Sequence, residues 1–243
     1  MSLVHNRPVR DILFETIPNT LQLTAVVFVL QFLLGLIFGI ITALKRNSKI
    51  DLSISSILLF LYSVPGFWLA LMLVMIFSLH LGWLPSSHMS SLHIDGGIWL
   101  QLADRLRHLV LPVTVLTMPF AAYTARFVRG SLSDVLVEDY IRTAIAYGIN
   151  RRQVIFKYAL KNALLPVATL MGMYLPFLLG GAVITEYIFA WPGMGRLTIN
   201  AIFAHDFPII LASSFLAALA VVIGNMLSDL LYATIDPRIR LVK

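Results

Sequence analysis

The chain has 243 residues, of which 59% are hydrophobic and only 12% are charged, and its net charge at neutral pH is +6. A soluble domain has about 25% charged residues, so this chain has about half the charge that a water-facing surface needs. The composition excludes a soluble enzyme, a disordered chain and a nucleic-acid-binding module, and it predicts an integral membrane protein. Cysteine is absent, which excludes disulfides, a thiol nucleophile and cysteine-based metal sites.

Five stretches without Asp, Glu, Lys or Arg are apolar enough to cross a membrane. About 20 apolar residues in a helix span the roughly 30 Å hydrocarbon core, and the stretches cover residues 16–44, 53–79, 109–125, 162–185 and 207–228. None alternates apolar and polar residues as the strands of a membrane barrel do. We therefore predict an all-α fold, a polytopic helix bundle with five transmembrane helices.

Proline and glycine within these stretches indicate the shape of the helices. Proline removes a helical hydrogen bond and kinks or ends a helix, which we expect at Pro65, Pro112, Pro119, Pro166 and Pro176. Gly35 and Gly39 have the four-residue spacing with which small residues let two membrane helices approach closely. We expect these two glycines to serve packing within this subunit or against a neighbour.

Basic residues are unequally divided between the two sides of the predicted bundle. The connections on one side, together with the C-terminus, hold 13 of the 18 Lys and Arg residues, which predicts that this side and the C-terminus are cytoplasmic. Residues 1–15 then lie outside, but they contain no apolar stretch typical of a signal peptide. Either the first helix carries this tail across the membrane or a sixth, N-terminal helix precedes it, and we favour the second explanation.

The predicted cytoplasmic segment between the third and fourth spans, residues 126–165, contains a helical pattern and a turn. Apolar or small residues recur at three and four positions, as in an amphipathic helix, at Val137, Tyr140, Ile141, Ala144, Ile145 and Gly148. Gly148 is expected to end this helix in the left-handed conformation. Asn150 is expected to cap a second helix with Gln153 in its first turn, and Ile149 and Val154 have the spacing of a hydrophobic staple.

Two functions fit such a segment. Basic amphipathic helices lie on anionic lipid surfaces, whereas a turn held by a glycine, a cap and a staple presents a rigid surface to a partner protein. The acidic residues at its start, Asp134, Glu138 and Asp139, argue against a purely lipid-bound role. Partner docking is the favoured interpretation, with lipid contact as the alternative.

The segment also resembles a known motif. Ala144-x-x-x-Gly148, followed 17 residues later by Leu165-Pro166, is similar to the EAA motif of permease subunits in binding-protein-dependent ABC importers, the MetI-like family. Arg142 and Thr143 stand where the general motif has Glu and Ala, a departure that resembles the peptide/nickel branch of the family.

Four further segments are similar to that branch. They are the SVPGFW run from Ser63, the LGWLP run from Leu81, Glu186–Phe189 leading into the WPGMGR run from Trp191, and Asp236-Pro237-Arg238 near the C-terminus. The WPGMGR run resembles the dipeptide permease B type. Members of that type have an additional N-terminal helix and an external region before the part that matches here, which is in line with the missing helix suggested by the charge distribution.

The resemblance implies a transporter subunit without enzymatic activity, forming one permease domain over residues 1–243 of a multi-pass protein in the bacterial inner membrane. A second permease subunit would form the other half of the path, and an external substrate-binding protein would deliver substrate. Two cytoplasmic ATPase subunits would bind ATP and Mg, which this chain would not. Di- or oligopeptides are the expected substrates, with nickel chelates or glutathione as alternatives within the family.

By the same resemblance, the Arg142–Leu165 region of the 126–165 segment docks on the ATPase subunits, and Gly148 and Ala144 allow its bend and its close approach. The residues expected to take part in coupling are Arg142, Thr143, Ala144, Gly148, Arg151, Arg152, Leu165 and Pro166.

Two acidic residues lie at or inside predicted spans, where an ionised side chain costs at least about 2.5 kcal/mol. Glu186 is near the external end of the fourth span, so it either extends to the surface or, with Trp191, Pro192 and Gly193, belongs to a pathway or gate. Asp229, near the cytoplasmic end of the last span, is expected to pair with a nearby arginine for structural reasons.

Other site types lack their sequence patterns. No G-x-x-x-x-G-K-[ST] run occurs, so we expect no nucleotide site, and His88 and His93 are too poorly matched in spacing and partners for a metal site. An intramembrane enzyme would need a motif such as H-E-x-x-H or G-x-S-x-G, and neither is present. The main alternative is an ATP-independent secondary transporter. Such proteins have charged or polar clusters within their spans, and the spans predicted here contain almost none. A purely structural subunit is also possible, although it would not explain the rigid turn.

Overall fold

A computed structural model describes residues 1–91, 97–180 and 182–235. In these ranges every regular element is helical, which confirms the predicted all-α fold. In chain order the helices are α1 (Val9–Leu44), α2 (Lys49–Ser63), α3 (Gly66–Leu73), α4 (Ile98–Val135), α5 (Asp139–Ala146), α6 (Arg151–Gln153), α7 (Leu160–Ala163), α8 (Leu165–Gly180), α9 (Val183–Ile188), α10 (Met194–Phe203) and α11 (Phe207–Ile235). Two π-helical segments, Val74–His80 and Val154–Ala159, continue α3 and α6 respectively.

Three helices of the described chain, α1, α4 and α11, are each long and apolar enough to cross a membrane. The number rises to five if two broken pairs, Lys49–Ser63 with Gly66–His80 and Arg151–Ala163 with Leu165–Tyr174, are each counted as one span. The upper figure agrees with the five predicted helices. The predicted fourth span, residues 162–185, is nevertheless divided, because α8 ends at Gly180 and Val183 begins a separate short helix.

The prolines affect the helices unequally. Pro65 stands between α2 and α3 in an extended conformation, with φ −59° and ψ 130°, and so confirms the predicted interruption. Pro112 and Pro119 do not end α4, contrary to one of the two expected outcomes, because the helix continues through both to Val135. In an apolar environment a continuous helix leaves fewer backbone groups unsatisfied than a chain break does. The first ten residues of the 126–165 segment consequently belong to α4 rather than to a loop.

The chain divides into two compact units, the first comprising residues 1–29, 64–117 and 176–223. One core of this unit packs Ala70 against Leu111, Val115 and Phe189. A polar anchor holds its N-terminal residues, because the buried Asp206 carboxylate accepts hydrogen bonds from the Ser2 hydroxyl and from two backbone N–H groups of the following residues. Burial opposes ionisation of Asp206, but these hydrogen bonds outweigh it and hold the pKa of its carboxyl below the ordinary value.

The second unit comprises residues 30–63, 118–175 and those from 224 onward. Here α1 contacts α4 at the predicted glycine pair. A Cβ atom on Gly35 would lie 2.6 Å from Thr124 Cβ, and one on Gly39 would lie 2.6 Å from Val128 Cβ. Both distances are shorter than any ordinary carbon contact, so only glycine fits, and the expected packing role within this subunit is confirmed.

An ion pair joins α2 to α4 in the same unit. Arg129 donates from Nε and Nη2 to the two oxygens of the buried Asp51 carboxylate, at 2.9 and 2.8 Å. The Asn47 backbone N–H and the Ser55 hydroxyl also donate to this carboxylate, at 2.9 and 3.1 Å. The first turn of α2 is therefore fastened to the part of α4 that lies within the 126–165 segment.

The single permease domain expected over residues 1–243 stays a prediction.

Candidate functional site

Helix α5 is attached to its own unit by a narrow apolar face. Ile141 and Ala144 are buried and join one cluster with Ala43 and Leu132, from the ends of α1 and α4. The predicted amphipathic face is thus narrower than the sequence pattern indicates, since Tyr140 and Ile145 are exposed.

The burial of Ala144 changes its expected role. Only 9% of this residue is exposed, so its small side chain lets α5 approach helices of its own chain rather than a partner. In the EAA-like segment, Ala144 therefore helps to attach α5 to α1 and α4. The surface that a partner would contact is formed by other, exposed residues.

Gly148 ends α5 as the sequence predicts. Its φ is +78°, and two hydrogen bonds close the turn, from Gly148 N–H to the Ile145 carbonyl at 2.9 Å and from Ile149 N–H to the Ala144 carbonyl at 3.2 Å. This pair of bonds is typical of a glycine C-cap. A Cβ at Gly148 would meet no atom within 4 Å, so the backbone conformation, and not space, requires glycine here.

The predicted second helix begins where expected. The Asn150 side chain accepts a hydrogen bond from Arg152 N–H at 3.0 Å, which confirms the N-cap. Ile149 and Val154 meet in the same apolar cluster, as a staple requires. The helix itself is less regular than predicted, because only Arg151–Gln153 is α-helical before the π-helical turn.

Two side-chain hydrogen bonds fix α7 against its neighbours. The Ser131 hydroxyl donates to the Ala163 carbonyl at 2.9 Å, and the Asn162 amide donates to the Tyr140 hydroxyl at 2.8 Å. The segment from α5 to α7 is therefore held to α4 at several points, and it is a rigid surface rather than a loose loop.

The outward surface of this segment is basic with apolar members. The predicted coupling residues Arg142, Thr143, Arg151 and Arg152 are exposed, and Arg142 forms a weak ion pair with Asp139, at 3.7 Å. Leu165 and Pro166 form the first turn of α8, with Leu165 exposed and Pro166 half-buried.

Sequence reasoning missed one residue of this surface. Tyr147 is 84% exposed and precedes Gly148 directly. Its exposure could have been predicted, because Tyr147 is an aromatic residue beside a helix-ending glycine and does not fit the apolar periodicity of the helix.

A second site surrounds Glu186 in the first unit. The residue is fully buried. Its Oε1 atom accepts from the Thr20 hydroxyl at 2.9 Å, and its Oε2 atom accepts from the N–H groups of Gly195 at 2.7 Å and Arg196 at 3.2 Å. These N–H groups belong to the first turn of α10, where a negative charge is favoured. We call this arrangement the Glu186 clasp.

The loop before α10 completes the clasp. Trp191 is buried, and its Nε1–H donates to the Asn19 carbonyl at 2.8 Å, while the Asn19 amide donates to the Pro192 carbonyl at 2.9 Å. A Cβ atom on Gly193 would lie 2.5 Å from both the Glu186 carboxylate and the Thr20 hydroxyl. Of the two alternatives for Glu186, extension to the surface is therefore wrong: helix-terminal N–H donors satisfy the carboxylate inside the protein.

The remaining predicted residues are the two histidines, Asp229 and the Asp-Pro-Arg run near the C-terminus. The backbone N–H of His88 donates to the Phe189 carbonyl at 2.8 Å. His93, the Asp229 side chain and Asp236-Pro237-Arg238 lie outside the described residues. In the ranges that are described, no three His, Asp or Glu side chains are grouped closely enough to hold a metal ion.

The apolar helices and the rigid segment between α4 and α8 define a multi-pass membrane protein with an exposed basic surface. A family model described as "Binding-protein-dependent transport system inner membrane component" matches residues 35–241. The chain belongs to this family, and it is the membrane permease component of such a transport system.

Relatives of known name support this assignment. The chain is 40% identical over 232 residues to the oligopeptide transport system permease protein AppB of Bacillus subtilis (strain 168), covering 96% of this chain and 72% of that protein. It is 39% identical over 240 residues to the glutathione transport system permease protein GsiC of Escherichia coli (strain K12), covering 99% and 74% respectively.

A solved structure shares the fold. It is an inward-facing form of the MetNI methionine ABC transporter, with a TM-score of 0.75 and 18% sequence identity over 95% of this chain and 99% of that chain.

Proposed function

We propose that this chain is a permease subunit of an ATP-driven importer of di- or oligopeptides, and that the segment from Arg142 to Pro166 couples it to cytoplasmic ATPase subunits. One observation carries the coupling assignment. Gly148 holds a rigid turn whose inner side is fixed to α1 and α4 and whose outer side presents Tyr147 and the arginines. The 40% identity to an oligopeptide permease supports the substrate class.

The proposed assembly has the subunits that such a system needs. A second permease subunit forms the other half of the path, two ATPase subunits bind ATP and Mg, and an external protein delivers the peptide. This chain itself binds no nucleotide. It lies in the bacterial inner membrane with its C-terminus and the coupling segment on the cytoplasmic side, where most of its Lys and Arg residues are then found.

Docking energy comes mainly from apolar contacts. Exposed ion pairs contribute only about 0–1 kcal/mol each, so Arg142, Arg151 and Arg152 orient the partner more than they hold it. Large exposed aromatic residues are the side chains that anchor interfaces, and Tyr147 is the most exposed aromatic residue of this surface. We infer that Tyr147 is the main anchor and that movement of the docked ATPase is passed on to α4 through the rigid attachment.

The Glu186 clasp holds a loop in place. Because the carboxylate is fully engaged by Thr20 and by the first turn of α10, we infer that Glu186 positions Trp191, Pro192 and Gly193 rather than contacting substrate. If a gate includes this loop, Trp191, Pro192 and Gly193 therefore move together with the clasp.

A matched pair of variants tests the coupling assignment. In proteoliposomes holding the complete transporter, Tyr147→Ala should lower peptide-stimulated ATP hydrolysis and ATP-driven peptide uptake together, by about tenfold for an interface anchor. Val137→Ala, which removes an exposed apolar side chain outside the turn, should leave both within twofold of the wild type. Equal effects of the two variants would remove the support for Tyr147 as the anchor, and uptake without ATP would favour a secondary transporter.

The relative that transports glutathione supplies a second candidate substrate. Uptake of a labelled tripeptide in competition with unlabelled glutathione separates the two. Strong competition by glutathione and weak competition by other peptides would support the second candidate.

A further inference from the structure

An exposed aromatic patch lies on the second unit, where α2 and α4 meet. Tyr62 of α2 and Tyr123 of α4 are 48% and 38% exposed. Their rings are stacked, with centroids 6.2 Å apart and an interplanar angle of 27°. The guanidinium carbon of the exposed Arg126 lies 6.0 Å from the centroid of the Tyr62 ring, within the range of a cation–π contact.

The patch continues onto α8 through Phe120, which is three residues before Tyr123 and therefore on the same face of α4. The Tyr174 ring meets Phe120 edge to face, with centroids 5.4 Å apart. Phe32 of α1 meets the same tyrosine at 5.9 Å. Tyr62, Tyr123, Phe120 and Tyr174, from α2, α4 and α8, thus form an aromatic patch that packs on the buried Phe32 of α1. We call this patch, together with Arg126, the Arg126 patch.

The position of Arg126 is unusual for a basic residue at the end of a span. Arg129, one turn further along α4, binds Asp51 in the first turn of α2, where the chain leaves the polar KRNSK run of residues 45–49. Arg126 instead lies beside Tyr62, eleven residues along α2 and therefore about 16 Å beyond Asp51. Its guanidinium is directed towards the apolar part of the helix rather than back to the polar boundary.

A guanidinium and tyrosine hydroxyl groups are costly to expose to lipid beside the apolar part of a spanning helix, and charged groups in such positions face a cavity or a path. In the part of the chain that the structure describes, no carboxylate forms an ion pair with Arg126. The Tyr62 ring orients the cation without neutralising it, so its charge remains available for an anionic ligand.

We propose that the Arg126 patch is part of the peptide path, with Arg126 attracting the C-terminal carboxylate of a peptide in transit and Tyr62 and Tyr123 contacting its backbone and side chains. This inference rests on the proposed peptide importer function. Tyrosine offers an apolar ring and a polar hydroxyl, so it can contact peptides of different sequence. A single arginine attracts a carboxylate, which every unmodified peptide carries at its C-terminus.

The absence of cysteine from the chain allows a direct test. Tyr62→Cys and Phe60→Cys place a thiol on opposite sides of α2, and the native side chains are 48% and 64% exposed. In the complete transporter with its binding protein and ATP, a tripeptide carrying a bromoacetyl group should alkylate Tyr62→Cys at least about fivefold faster than Phe60→Cys. Equal labelling of the two would overturn the proposal. So would a crosslink from Tyr62→Cys, carrying a thiol-attached photoactivatable reagent, to the second permease subunit without peptide labelling.

A second measurement tests the role of Arg126. Arg126→Gln should lower uptake of a tripeptide with a free C-terminal carboxylate by about tenfold, as expected for the loss of a charge-assisted contact. Uptake of the C-terminally amidated tripeptide should change less than twofold, and Arg126→Lys should restore part of the uptake of the free acid. Equal losses for both peptides would refute carboxylate recognition. If the wild type imports neither peptide with ATP, the importer assignment itself fails, and the patch proposal fails with it.

Discussion

Replacing Glu186 by glutamine tests whether the clasp depends on a buried negative charge. The substitution keeps the shape of the side chain but replaces one carboxylate oxygen by an amide group. In the native protein the carboxylate accepts three hydrogen bonds, from Thr20, Gly195 and Arg196. The glutamine oxygen can accept from the two backbone N–H groups, and its amide can then donate to the Thr20 hydroxyl, which also accepts from the Met194 N–H. The substitution therefore removes the charge at the α10 N-terminus and the acceptor of the Thr20 O–H.

The expected magnitudes follow from this geometry. A charge-assisted hydrogen bond is worth about 1.5–3 kcal/mol and a neutral one about 1 kcal/mol, and a charge at a helix N-terminus adds about 0.3–1 kcal/mol. We expect Glu186→Gln to lower the free energy of unfolding by about 1–3 kcal/mol. Glu186→Ala leaves several donors unsatisfied in a buried site, and we expect a loss of at least about 3 kcal/mol.

The assay is thermal unfolding of the purified subunit in detergent. A loss of 1 kcal/mol lowers the Tm of a chain of this size by about 2–4 °C, so glutamine should cause a moderate decrease and alanine a clearly larger one. If Glu186→Ala unfolds at the wild-type temperature but abolishes uptake, the clasp is not structural, and Glu186 has a direct part in transport.

Three other substitutions, two of them with a control variant, give expected outcomes in the same assay. Gly193→Ala places a Cβ atom 2.5 Å from the clasp and should lower the Tm markedly. Gly66→Ala is the control, because its Cβ meets no atom within 4 Å and its Tm should not change. Similar melting temperatures of the two variants would contradict the close approach at Gly193. Gly148→Val should lower the free energy of unfolding by at least about 1–2 kcal/mol because φ is positive at this position, while Gly148→Asn should be nearly neutral. Equal losses of stability in the two variants would show that the left-handed turn is not required. Arg129→Met leaves Asp51 buried without its cation and should cost about 3 kcal/mol; an unchanged Tm would show that the ion pair adds no stability.

The local features of the coupling segment were predictable from the sequence. A helix-ending glycine, an N-cap and a staple each depend on residues within a few positions of one another, so Gly148, Asn150 and Val154 show the predicted structure. The glycine pair of α1 was predictable for a similar reason, because its spacing places both residues on one face of the helix.

The remaining features depend on contacts between distant parts of the chain. Nothing near Glu186 in the sequence shows that Thr20 donates to its carboxylate, so its burial was not predicted. The direction of Arg126 follows from the crossing of α2 and α4, and the sequence alone placed it in a basic cytoplasmic segment. Pro112 and Pro119 were misleading because the apolar residues around them favour a continuous helix.

Crosslinking at Tyr147 tests the central claim, that the segment from Arg142 to Pro166 docks on an ATPase subunit. The chain has no native cysteine, so a single Tyr147→Cys variant can carry a short photoactivatable crosslinker in membranes that contain the co-expressed transporter. We expect a product with the ATPase subunit, identified by mass spectrometry, whose yield changes when ATP is added. Trp99→Cys, 79% exposed in the native protein at the start of α4, should give no such product. Equal crosslinking from both positions, or none from Tyr147→Cys in a transporter that still hydrolyses ATP, would contradict the claim.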